Sequence, residues 1–178
     1  MYAAHFAAGL AIKARVPRTP TWALMTAVFL PDFVWIVLAW AGIEPTLPPR
    51  GFFDDWSHSL VMVLVWAALF AGIFWRRGWP VVISIWIAGL SHFFLDFVIH
   101  PAKLALYPNS SVHLGWNLWQ YGLTKSWLGA TRYWWFESVV LLVLISFYAG
   151  YARRNRLQPN LVAASCVTVI GLHLLALQ

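Results

Sequence analysis

The chain has 178 residues, of which 61% are hydrophobic and only 10% charged, with a formal net charge of +6. Apolar runs of nearly membrane-crossing length exclude an ordinary water-soluble domain and mark an integral membrane protein. The basic residues are divided among short connections without a continuous patch, so topology explains the charge better than nucleic acid, which is not expected as a partner.

In chain order, a short helix around Tyr2–Arg15 comes first. It lacks a basic start and a small-residue cleavage site, and its apolar run ends at Lys13 and Arg15, so it reads as a half-inserted helix and not as a signal peptide. Five candidate spans follow: Thr21–Gly42, Ser57–Trp75, Trp79–His100, Tyr133–Ala152 and Asn160–Leu177. They are separated by Pro17 and Pro20, by a proline-rich stretch after Glu44, by Arg76-Arg77-Gly78, and by Arg153-Arg154-Asn155-Arg156 before Pro159. The expected fold is therefore all-α: a single-domain polytopic bundle over residues 1–178, with no internal repeat.

Lys and Arg set the orientation, because cytoplasmic connections retain them. Lys13, Arg15, Arg18, Arg76, Arg77, Arg153, Arg154 and Arg156 fall on one side of the five-span arrangement, which is expected to be cytoplasmic. Arg50, Lys103, Lys125 and Arg132 fall on the other, together with Glu44, Asp54 and Asp55.

Depth then follows from a rise of about 1.5 Å per residue. His92 and Asp96 lie roughly 20 and 25 Å from the cytoplasmic end of their span, His100 near the outer surface, and Asp32 near mid-membrane behind Pro31. His58 opens the second span on the outer side, Glu137 lies about one turn below the outer end of the fourth, and His5 points the same way. Topology rests on Lys and Arg whereas the convergent groups are His, Asp and Glu, so their meeting in the outer half is independent of the assumption that placed them. Ionisable groups inside a bilayer mark function by default. His92, Asp96 and His100, at i, i+4 and i+8, share one helical stripe from which all three can reach one cation.

Simpler roles suit other polar residues. His173, without an acidic neighbour in its span, reads as a helix-to-helix hydrogen-bonding group. His113 reads as a loop residue, and His58 between Ser57 and Ser59 could belong to a helix cap. Pro31 could serve only to kink its helix. The 13 tryptophans fit interfacial belts, Trp116, Trp119, Trp127, Trp134 and Trp135 on the outer side. Cys166 is the only cysteine, which excludes a thiolate cage and leaves nitrogen and oxygen donors. Imidazole with carboxylate suits Zn²⁺, with Mn²⁺ or Fe²⁺ as alternatives, and an open coordination position on such an ion is hydrolase chemistry.

The order Ala4-His5, Leu30-Pro31-Asp32, Arg50-Gly51, Ser57-His58-Ser59 and Ser91-His92-x3-Asp96, with a weaker continuation through Gly115-Trp116-Asn117 to Glu137, resembles the YdjM-like family of predicted membrane-bound metal-dependent hydrolases. That family is thought to be distantly similar to zinc-dependent phospholipase C and the P1-type nucleases. The resemblance implies ligands at His5, His58, His92 and Asp96, Asp32 as ligand or general base, and a second metal completed by His100 or His113 with Glu137. It implies one to three ions and a phosphoester substrate. Val34 stands where the family often has a second acid, for which Asp54 or Asp55 are the substitutes.

The sequence thus predicts a metal-dependent hydrolase of a lipid or lipid-linked phosphoester in a bacterial or archaeal cytoplasmic membrane, its site facing outward. An intramembrane zinc amidase of the ceramidase type is the second enzyme reading, although its paired late His motif is absent. A metal-binding or transport protein is the non-enzyme reading. It requires ionisable groups in the cytoplasmic halves of the spans, which are apolar.

Overall fold

The computed structural model describes residues 2–44, 54–99, 103–116, 132–157 and 159–175, and His100 and Arg50 lie outside them. The chain folds into helices α1 (Tyr2–Arg15), α2 (Thr21–Val28), α3 (Leu30–Trp40), α4 (Asp55–His58), α5 (Leu60–Gly72), α6 (Trp79–Ile99), α7 (Arg132–Arg154) and α8 (Pro159–Leu175). Between α6 and α7, strands β1 (Leu104–Ala105) and β2 (His113–Leu114) form an antiparallel ribbon in which Leu104 faces Leu114. The fold is mostly helical, as expected, with this small ribbon as an addition.

The number of spans is corrected. Two helices are long and apolar enough to cross a membrane, Trp79–Ile99 and Trp134–Arg154, or three if α2 and α3 count as one bent span. The expected Thr21–Gly42 span breaks at Phe29 with a 55° bend, because Pro31 has no N–H to continue the helix. The expected Ser57–Trp75 span is split by Ser59 in an extended conformation, leaving α5 with 13 residues, about 20 Å of rise against about 30 Å of hydrocarbon. Its other end is followed by the short 3₁₀ turn Trp75–Arg77, which Gly78 closes with a φ of 90°. In the last expected span, the apolar helical stretch is Val162–Gly171.

Helix α1 lies against α2, α6, α7 and α8. Its alanines make this possible, since Ala3, Ala4, Ala7, Ala8, Ala11 and Ala14 are all buried and let neighbouring backbones approach. Ala3, Ala7, Leu10 and Ala14 pack with Leu141, Ile145, Tyr148 and Val169 of α7 and α8. A second core joins Leu24 and Val28 of α2 to Phe74, Ile85 and Ala88. At Gly89 an added Cβ would lie 2.6 Å from Ala67 Cβ, so α5 and α6 touch where Gly89 has no side chain to separate them.

Ile36, Val37, Leu69, Ile83, Ile87, Val139, Leu142 and Val143 point outward, giving the apolar exterior a bilayer requires. Several basic residues gather at one end, where Arg15 and Arg154 line one pocket. Arg15 lies over the Phe147 ring of α7, Lys13 donates to Pro17 O and Thr19 O, and Thr19 Oγ1 is 2.7 Å from Ser84 Oγ near the start of α6. From that end α2 and α6 rise, and α1 and α7 descend to it, so His5, Asp32, His92 and Glu137 belong to the opposite half.

Candidate metal centre

One helical turn of α6 supplies two groups. His92 and Asp96, four residues apart, place Nε2 3.2 Å from Oδ2. His5 arrives from α1 with Nε2 3.6 Å from Asp96 Oδ1, its ring 4.2 Å from that of His92 and stacked on Phe29. Asp32 projects from the first turn of α3, just past the Pro31 break, with Oδ1 3.8 Å from His92 Nε2. His58 closes α4 and brings Nε2 to 3.3 Å from the same Asp32 oxygen. Five residues from four helices thus form two groups that could hold a metal ion: His5, His92 and Asp96, and Asp32, His58 and His92. Within each, the ligand atoms lie within 4.8 Å of one another, and His92 belongs to both.

Hydrogen bonds on the far side of two rings fix which nitrogen faces inward. His92 Nδ1 lies 2.7 Å from Val28 O, a carbonyl at the end of α2 that no residue of that helix can satisfy. A carbonyl accepts only, so Nδ1 carries a proton and Nε2 is the nitrogen turned toward Asp96 and Asp32. For His58, Nδ1 is 2.7 Å from Ser57 Oγ, whose own proton goes to Asp54 O at 3.0 Å. The hydroxyl therefore accepts from His58 Nδ1, and Nε2 is turned toward Asp32, in hydrogen-bond contact with Oδ1 at 3.3 Å.

Lone pairs aimed at carboxylates repel unless positive charge lies among them. Charging all three imidazoles would crowd three cations together in a site where His5 and His92 are about 2% exposed. A divalent ion would satisfy both carboxylates and the inward nitrogens with neutral rings. The nitrogen and oxygen donor set suits a borderline or hard divalent cation. Asp32, with its side chain 32% exposed against 2–12% for His5, His58, His92 and Asp96, marks the open side.

The remaining candidates lie elsewhere. Glu137 is not in either group: its Oε1 accepts the Ala4 N–H at 3.3 Å, and its Oε2 is 3.5 Å from His173 Nδ1. His173 therefore has the acidic neighbour its own span lacks, supplied by α7, and also meets Ser138 Oγ at 2.7 Å. His113 is exposed on the ribbon. Asp54 pairs with Lys103 at 3.6 Å, and Asp55 accepts the Asn109 N–H at 2.9 Å, so neither replaces the missing second acid. Ser57 and Ser59 make no side-chain cap, and His58 ends a four-residue helix where the opening of a long span was expected.

Glu44 was missed by the sequence reading. Its Oε1 accepts the N–H groups of Trp56 and Ser57 at 2.6 and 2.9 Å, holding α4 and through it His58. Burial pushes its carboxyl above the usual range, and Asp55 shifts the same way for the same cause. Only the position of Glu44 beside a proline-rich loop signalled it, and that resembles any solvated loop acid.

Comparison with known proteins gives no match among family models, curated proteins or solved structures. Functional reading therefore depends on this geometry and on the order of the motifs.

Proposed function

We propose that the chain is a membrane-embedded metal-dependent hydrolase acting on a phosphoester of a lipid or lipid-linked headgroup. The observation that carries this reading is the pair of Nδ1-tethered imidazoles, His58 and His92, whose Nε2 atoms converge on Asp32. The resemblance to the YdjM-like family supports the reaction class, and the apolar exterior supports a substrate that resides in lipid. The Lys and Arg distribution along the sequence supports a site that faces the outer leaflet.

A Zn²⁺, Mn²⁺ or Fe²⁺ ion held here would supply Lewis acidity to a phosphoryl oxygen and lower the pKa of water. Asp32, at the open side, would take the proton of the attacking water. His5, His92 and Asp96 hold the closed side, where water is excluded, and His58 is kept in one tautomer by Ser57.

Purified full-length protein should contain a stoichiometric transition metal by elemental analysis, lost in His92→Ala and Asp96→Ala. It should release phosphate-bearing or phosphate-free headgroup from a phospholipid panel. Metal-free protein prepared without chelators would refute the centre. Fatty-acid release from ceramides would transfer the assignment to an amidase, and metal flux into sealed vesicles without product would transfer it to transport.

A further inference from the structure

The geometry points to Glu137 as a positioning residue that sets His5 from outside the metal centre, holding the first turn of α1 through its backbone. This rests on the metal-centre reading and departs from the ligand role that the family resemblance implies. Helix α1 begins at Tyr2, so Ala4 N–H is among the opening amides that have no acceptor within the helix. Glu137, 133 residues away in α7 and 2% exposed, provides that acceptor at 3.3 Å, on the residue next to His5.

The carboxylate is itself held. Its second oxygen faces His173 Nδ1, and His173 is clamped on its other sides. Trp134 stacks on the His173 ring at 4.5 Å and 15° and donates Nε1–H to His173 O at 3.2 Å. Ser138 Oγ meets His173 Nε2 at 2.7 Å and Trp134 O at 2.8 Å. Whichever atom carries the proton between Glu137 and His173, Oε1 remains the acceptor for Ala4. The corner formed by α7 and α8 thus fixes where α1 starts, and His5 reaches Asp96 from that turn.

A ligand and an anchor respond differently to glutamine, which keeps an oxygen for Ala4 and an amide for His173 but gives up the carboxylate. We expect Glu137→Leu to weaken Zn²⁺ binding by about 10- to 100-fold, the usual effect of losing a group behind a ligand. Glu137→Gln should bind Zn²⁺ like wild type and keep the wild-type visible spectrum when loaded with Co²⁺. Competition with a chromophoric chelator gives the affinities, and amide hydrogen exchange at Ala4–His5 should accelerate in Glu137→Leu alone. Equal losses of affinity in both variants with an altered Co²⁺ spectrum would make Glu137 a ligand and overturn the inference. Wild-type affinity in Glu137→Leu would also overturn it while leaving the centre standing. Failure of the wild-type protein to bind either ion would overturn the centre and this inference together.

Discussion

Ser57 shows how much of a site one hydroxyl can decide. By giving its proton to Asp54 O it forces His58 to donate from Nδ1, which turns Nε2 toward Asp32, 3.3 Å away. Ser57→Ala is therefore expected to leave the fold intact and weaken metal binding by about 10-fold or more, because His58 can then rotate or change tautomer. Chelator competition on the purified variant measures this, and unchanged affinity would show that Ser57 has no part in orienting the ring. The chemistry of His92 and Asp96 was legible in sequence because four residues along one helix is a local relation. The role of Ser57 was not, since an adjacent Ser and His have no defined geometry until the corner between α4 and α5 is built. His173 is the complementary case: its acidic partner Glu137 lies in another helix, so a search along its own span found none.

At the scale of elements, breaks matter as much as helices. Pro31 ends the run that α2 began, and the resulting bend both aims Asp32 at His92 and leaves the Val28 carbonyl for the imidazole. Apolarity alone could not show this, because the residues on either side of Phe29 are equally greasy and composition reads them as one rod. The same limit produced the overlong second span, where Ser59 divides α4 from α5. Close contact of α5 with α6 is a further consequence. Gly89→Ala should destabilise the protein by about 1–3 kcal/mol, since its Cβ would come 2.6 Å from that of Ala67. Ala67→Gly in the same chain should restore part of the loss, and equal melting of wild type and Gly89→Ala in detergent would refute the packing argument.

In the whole molecule, the centre joins the shorter helices α1, α3 and α4 to the long α6. A bound ion should then act as a brace. Zn²⁺ at about 100 times its dissociation constant is expected to add about 2.7 kcal/mol to stability, read as a raised melting temperature that falls with chelator. In Asp96→Asn the same addition should produce a much smaller rise, and an equal rise in both proteins would place the ion elsewhere. The amino-acid sequence by itself determined the apolar character, the helical class, and an expected meeting of His5, Asp32, His58, His92, Asp96, His100 and Glu137, of which the first five come together. Those follow from composition and from distances along single helices, which are written in residue order. Only the tertiary structure decided that the long spans are broken, that His92 is shared between two ligand groups, that Glu137 holds α1 from outside, and that Glu44 holds α4. Each of those depends on a contact between segments distant in the chain, and such contacts come into being only when helices pack.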